Sequence, residues 1–261
     1  MIIPAYFVIV PSTFSVGNLE FTKYFSTFTQ LTPIMSTFIY SEFYQSLTPI
    51  ERKYAPGQLF VEGDHTLLSS GLKVSIVGTR KPSEQGIRDA ECLARTLVEH
   101  GVIVVSGLAE GIDTVAHETA IQSGGKTIAV LGTPLDVAYP AKNKGLQDQI
   151  KAHHLAVSQF APGYPTTPGN FPMRNRTMAL LSDATIIVEA SENSGTKHQG
   201  WEALRLGRFV FILKSVLDNP ALTWPKEMVK YGAQALTCES LPSFLGEIPN
   251  VTSRSDHATL Y

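Results

Sequence analysis

VSIVGTRKPSEQGIRDAECLARTLVEHGVIVVSGLAEGID, residues 74–113, reads as strand, turn, helix, strand and the opening of a second helix. Residues 74–78 are a short apolar run closed by Gly78, the pattern of a parallel strand buried on both faces. Ser83 suits a helix N-cap, and Glu84 follows in the first turn, where an acidic side chain complements the helix dipole. Ile87, Ala90, Ala94, Leu97 and Val98 then recur on one helical face. Residues 102–106 form a second apolar strand, and Ile112, Val115, Ala116 and Thr119 mark the next helix.

The alternation continues downstream. Strands are expected at 127–132, 155–158, 184–189 and 209–213, and helices at 144–152, 173–182, 197–206 and 225–231. Apolar strands without in–out alternation, separated by helices, define an α/β fold: a Rossmann-like, mostly parallel sheet flanked by helices on both faces. This domain is expected over residues 51–245. Residues 1–50, rich in Phe, Tyr, Ser, Thr and Pro with few charges and no period, are expected to be a poorly ordered N-terminal extension, with Met35 an alternative start. Residues 246–261 are expected to be a polar tail.

Net charge is only −2, so a nucleic-acid site on this chain must be a local patch rather than a global basic field. The opening MIIPAYFVIV is too short for a secretory signal and lacks its basic flank. No apolar run reaches the roughly 18 residues of a membrane span. A cytoplasmic protein without membrane contact is expected. Cys92 and Cys238 show no metal or redox spacing, and Cys92 falls inside a helical pattern, so two packed thiols in a reducing compartment are expected, with no disulfide and no metal.

Three strand ends run into Gly-containing turns that feed helices: GTRKPSEQG (78–86), SGLAEGID (106–113) and SENSGTKHQG (191–200). Such turns leave backbone amides unpaired at a helix N-terminus, where a phosphate can sit, and ligands of open parallel sheets bind beyond the strand carboxyl ends. Ordinary turn chemistry is the alternative for each of them. Arg80, directly after Gly78 and Thr79, offers a planar fork of donors to phosphate oxygens, or else a surface ion pair. Asp113 and His117 lie one helical turn apart. An acid–base pair is conceivable there, but buttressing of the loop is favoured, because no nucleophile or ligand set accompanies them. In NFPMRNR (170–176), Pro172 suits helix position N1, which places Arg174 and Arg176 in the first turn against the dipole. Cations so placed suggest an anionic partner, and Phe171 beside them is either a base-stacking ring or a core residue.

Residues 55–213 resemble the DprA/Smf (DNA processing protein A) family in one collinear order. The matching features are Gly63-Asp64, IVGTR, SGLAEGID with its following AH, TIAVLG, LDVAYP, NFPMRNR, LLSDATIIVEA, the SGT turn and EALRLGR. The resemblance implies a non-enzymatic protein without a cofactor that holds single-stranded DNA in a basic pocket at the strand carboxyl ends. It also implies protection of incoming strands, help in loading a RecA-type recombinase during natural transformation, and a homodimer formed through the core. Carried over by position, the contacts are Gly78, Thr79 and Arg80, then Phe171, Arg174, Asn175 and Arg176, then Ser194, Gly195, Thr196 and Lys197, with Gly107 and Gly111 shaping the floor. KHQGW (197–201) departs from the small apolar helix start of many members and adds cationic character to the pocket wall. Neither a sterile-alpha-motif-like N-terminal domain nor a C-terminal winged helix is assigned.

A second reading is a nucleotide sensor or phosphoribohydrolase of the LOG (lysine-decarboxylase-like) group, which uses the same strand edge. Its PGGxGTxxE pattern would place Glu where this chain has Gln199, so hydrolysis is disfavoured while nucleotide sensing stays open. An NAD-dependent oxidoreductase would need GxGxxG at the first turn, which reads GTRKPSEQG instead.

Overall fold

Lys73–Gly78 (β3) lies at the middle of the fold because nearly every one of its side chains is buried, which requires a strand on each edge and a helix on each face. The computed structural model describes residues 36–38 and 47–251, which belong to one unit, Pro33–Tyr261. Ahead of β3 come Ser36–Phe38 (β1), Pro49–Tyr54 (α1) and Leu59–Gly63 (β2). After it follow Glu84–Glu99 (α2), Ile103–Ser106 (β4), Ile112–Gln122 (α3), Thr127–Leu131 (β5), Lys144–His153 (α4) and Leu155–Ser158 (β6). Asn170–Leu180 (α5), Ala184–Glu189 (β7), Thr196–Arg205 (α6) and Phe209–Leu213 (β8) complete the alternation. Lys214–Leu217 (α7), Trp224–Lys230 (α8), Gln234–Leu236 (β9) and Leu241–Leu245 (α9) close the described chain.

The described strands form one sheet of order β1-β2-β6-β5-β4-β3-β7-β8-β9. Pairings from β6 through β9 are parallel, while β1–β2 and β2–β6 are antiparallel. The chain steps outward from β3 to β6, and α5 then carries it back to β7 on the other side of β3. Right-handed crossovers in the two directions place α2, α3 and α4 on one face and α5 and α6 on the other. Accordingly α2 packs against α3, and α5 against α6. The reversal makes a switch point beside β3, where strand carboxyl ends diverge and leave a crevice.

The expected mostly parallel Rossmann-like sheet is what forms, but four expectations need correction. The folded region does not begin at residue 51: β1 pairs with β2 through Ser36↔Val61 and Phe38↔Leu59. Thr48 and Glu51 form a reciprocal capping box, and Glu51 makes a buried ion pair with Arg208, so α1 is anchored to the entry of β8. The rest of the expected extension, residues 1–35 and 39–46, lies outside the described residues, as does the tail from 252 onward. Residues 246–251 are not a free tail, because Ile248 is buried and the Val251 amide donates to Asp183 Oδ1 at 2.8 Å. The helix expected at 173–182 begins at Asn170, which makes Pro172 its third residue and moves Arg174 out of the first turn. Finally, Cys92 of α2 and Cys238, just after β9, are joined in a disulfide with Cα atoms 6.2 Å apart, 146 residues apart in sequence. Linear spacing carries no sign of this pair, because it arises only when the β9–α9 segment folds back onto α2.

Candidate nucleic-acid interface

A cavity of about 510 Å³ opens at the switch point. Its wall is built from the turn after β3 (Gly78, Thr79, Arg80, Lys81), from Phe171, Arg174 and Asn175 of α5, and from Ser194, Gly195 and Thr196 at the start of α6. A smaller one of about 160 Å³ adjoins it, shares Arg80, Phe171 and Arg174, and is bounded by Gly107, Gly132 and Tyr139.

The β3 turn is held by its backbone. The Thr79 amide donates to the Glu189 carbonyl at 2.7 Å, and the Thr79 carbonyl accepts from the Ile112 amide at 3.2 Å. Glu189 accepts from the Ser83 amide and hydroxyl, while Ser83 Oγ accepts from the Gly86 amide and caps α2. Arg80 therefore emerges from a fixed turn. Its guanidinium lies 5.6 Å from the centre of the Phe171 ring, and among the described residues no carboxylate reaches it. Phe171 is half-buried, packs 5.2 Å from the Tyr139 ring, and fills the space a side chain on Gly132 would take, where a Cβ would meet it at 2.7 Å. The ring is thus part of the wall shared by both cavities, and Arg80 and Lys81 are the exposed cations of the larger one.

Arg174 behaves differently. It is buried, and Nη1 donates to the carbonyls of Gly107 and Val130, the latter at 3.0 Å, while Nε donates to Asn175 Oδ1 at 3.1 Å. A Cβ on Gly107 would lie 1.7 Å from Nη1, so Gly107 is glycine because the guanidinium occupies that space. Burial pushes the Arg174 pKa down, with Asp113 opposing and Arg80 adding to the shift. Asp113 accepts from the amides of Gly107 (3.2 Å) and Ala109 (3.4 Å). Burial pushes its carboxyl up, against the pull of Arg174 and those amides. The expected buttress is therefore present, but Asp113 makes it with the loop amides and Arg174 rather than with His117. His117 Nδ1 instead meets Thr127 Oγ1 at 2.7 Å, and His117 does not line the cavity.

Of the residues expected at one site, nine surround the larger cavity: Gly78, Thr79, Arg80, Phe171, Arg174, Asn175, Ser194, Gly195 and Thr196. Gly107 bounds the smaller one. Three lie elsewhere. Gly111 lines neither cavity; its φ of +79° and a Cβ position 2.4 Å from the Thr79 carbonyl make it the support beneath the first turn. Lys197 is turned aside, donating through Nζ to the Glu192 carbonyl at 2.8 Å. Arg176 faces along α6, paired with Glu202 at 3.2 Å. Within the third turn, Ser194 Oγ accepts from the Thr196 amide, and Thr196 Oγ1 donates to the Gly78 carbonyl at 3.0 Å, which ties the first and third turns together. Lys81, Met178 and Gln199 line the cavity without having been expected. Lys81 was legible as the cation next to Arg80. Gln199 was legible only as the absence of a carboxylate; in the orientation that satisfies both its ends, its amide donates to the Asn175 carbonyl and accepts from the Ala179 amide.

Fold and cavity together define a class: a Rossmann-like α/β protein with a cationic, aromatic-walled cavity at its switch point. The family model for DNA recombination-mediator protein A matches residues 35–244, and the chain belongs to that family. It is 38% identical over 181 residues to the DNA processing protein DprA of Bacillus subtilis, covering 69% of this chain and 61% of that one. Against the DprA of Streptococcus pneumoniae it is 46% identical over 166 residues, 63% of this chain and 58% of the relative. The chain therefore spans about three-fifths of the length of these relatives. A solved structure of the S. pneumoniae protein superposes with a TM-score of 0.70 at 36% identity, covering 83% of this chain and 75% of the other. The Helicobacter pylori DNA processing protein A, solved for its single-stranded DNA binding mode, gives 0.70 at 29% identity, covering 84% and 99%.

Proposed function

We propose that this chain binds single-stranded DNA in the switch-point cavity as a DNA processing protein, without catalysing a reaction on it. The observation that carries the proposal is the gathering of the exposed Arg80 and Lys81 with the half-buried Phe171 ring in one cavity wall, above a turn closed by Ser194 and Thr196. Two exposed cations suit phosphates, the ring suits an unstacked base, and such contacts position a strand with little reading of its sequence. Arg174 contributes as a fixed buried charge in the cavity wall, since its Nη1 is held by two backbone carbonyls and its Nε by Asn175. Binding by the H. pylori relative supports the same use of this fold. Nothing lining the cavity recommends turnover: its carboxylate, Asp113, is buried and held by two amides, and position 199 carries an amide rather than an acid. Protection of strands during DNA uptake, delivery to a RecA-type recombinase and action as a cytoplasmic homodimer belong to the same proposal.

Fluorescence anisotropy with labelled oligothymidylate at two ionic strengths tests it. Arg80→Ala is expected to weaken binding and reduce the logarithmic salt slope by about 0.7, the value of one single-strand phosphate contact. Phe171→Ala is expected to cost about 1–3 kcal/mol of binding, the worth of a stacked base. Wild-type affinity in both variants refutes the assigned cavity. Tight mononucleotide binding with no affinity for the oligomer selects the nucleotide-sensing alternative.

A further inference from the structure

Arg176, expected in the cavity and found outside it, belongs to a second cluster. Its guanidinium lies 5.9 Å from the centre of the Tyr54 ring, that of Arg205 5.6 Å, and the Lys53 ammonium 5.5 Å. Three elements meet here: α1 supplies Lys53 and Tyr54, α5 supplies Arg176 and α6 supplies Arg205. All three cations are exposed. Among the described residues, Glu202 is the one carboxylate paired within the cluster, shared by Arg176 at 3.2 Å and Arg205 at 2.9 Å. Three cations against one carboxylate leave an excess of two positive charges, on a chain whose net charge is −2.

Each exposed cation over the half-buried Tyr54 ring gains only about 0.5–1 kcal/mol, and the three repel one another. Fold stability alone gives little reason to gather them; an anion laid between them does. The cluster also lies on a path from the cavity. Asn175 lines the cavity and Arg176 is its neighbour in α5; Glu202 follows cavity-lining Gly195 by seven positions, about 10 Å along α6 at 1.5 Å per residue. About three stacked nucleotides, at 3.4 Å each, bridge that interval.

We propose that Lys53, Arg176 and Arg205, gathered on Tyr54, form a second phosphate contact for the strand that leaves the cavity. This rests on the cavity holding that strand. Tyr54 positions the cations, and the cations meet the phosphates. The site therefore lengthens the footprint on the nucleic acid and contributes nothing to an oligomer too short to reach it.

The test compares the affinities of oligothymidylates of about four and about fifteen nucleotides, lengths that bracket the usual span of one single-strand site. The double variant Lys53→Glu, Arg205→Gln leaves Arg176 to pair with Glu202. It is expected to bind the short oligomer as the wild type does, to bind the long one about tenfold more weakly, and to show a salt slope reduced by about 1.4 for two lost phosphates. Tyr54→Phe keeps the ring and is expected to match the wild type, whereas Tyr54→Leu is expected to reproduce part of the loss. Coincident thermal unfolding of all variants separates this from misfolding. Wild-type binding of both oligomers by the double variant and by Tyr54→Leu overturns the proposal. Arg80→Ala distinguishes the two failures: when it weakens both lengths, the cavity stands and only the second contact falls; when it weakens neither, the cavity assignment falls, and the shared strand with it.

Discussion

Arg174 and Arg80 look equivalent in the sequence and have opposite fates. Arg80 leaves a rigid turn toward solvent, whereas Arg174 is buried, with Nη1 on the Gly107 and Val130 carbonyls and Nε on Asn175 Oδ1. Replacing a buried charge of this kind strands its partners, so Arg174→Ala is expected to cost about 3–5 kcal/mol in urea unfolding. Lys at this position is expected to recover little of the loss, because an ammonium lacks the planar fork. Wild-type stability together with lost DNA affinity in Arg174→Ala would instead assign the residue to the ligand. His117 gives a residue-scale expectation for pH. The Thr127 hydroxyl donates to the Val104 carbonyl, so His117 Nδ1 is the donor to Thr127. Burial holds its pKa at about 3, below the ordinary 6.5. As pH falls through 6.5 the unfolded chain takes up a proton that the folded one refuses, so stability declines from there down to about pH 3. His117→Gln is expected to show a shallower decline across that window in chemical denaturation; an unchanged slope rejects a neutral buried imidazole.

At the scale of elements, the strands from β3 to β8 were legible nearly to the residue, because β6, β7 and β8, for instance, are apolar runs bounded by polar turns, whereas β1, β2 and β9 were not expected. The start of α5 was not. Pro172 is tolerated at N1, which drew the expected boundary there, but the first turn of any helix leaves its amides unpaired, so proline is admitted at its third residue as well. That shift of a few residues rotates Arg174 inward and Arg176 toward α6. The turn before α3 carries a further expectation. Gly111→Ala must hold a side chain at a φ of +79° against the Thr79 carbonyl, at a strain of about 1–3 kcal/mol. Loss of that order in unfolding free energy, accompanied by weaker oligonucleotide binding through the displaced Arg80 turn, is expected. Normal binding by a folded Gly111→Ala protein would show that the first turn does not depend on this support.

Across the whole molecule, the Cys92–Cys238 link closes the sheet's far edge onto α2. A cross-link between such distant residues restricts the unfolded chain, and its reduction is expected to lower stability by about 2–4 kcal/mol. Alkylation after denaturation without reductant is expected to label neither cysteine. Labelling of both would mean that the pair stays reduced in the protein as isolated, and the stability difference would vanish with it. The global arrangement also explains the site's position: the return of α5 across the sheet creates the switch point, and turns distant in sequence, such as those at Gly78 and Thr196, meet there at 3.0 Å.

The alternation of strands and helices from β3 to β8, the parallel sheet and the rim on which the turns gather were set by the sequence alone, because each segment's apolar spacing encodes which of its faces must leave water. Which cation opens to solvent, which supports the floor and which joins another cluster was decided only by the tertiary structure. So were the disulfide and the outer strands β1, β2 and β9. A side chain's partner depends on the distance and direction of elements far away along the chain, and a local pattern of residues holds no record of either.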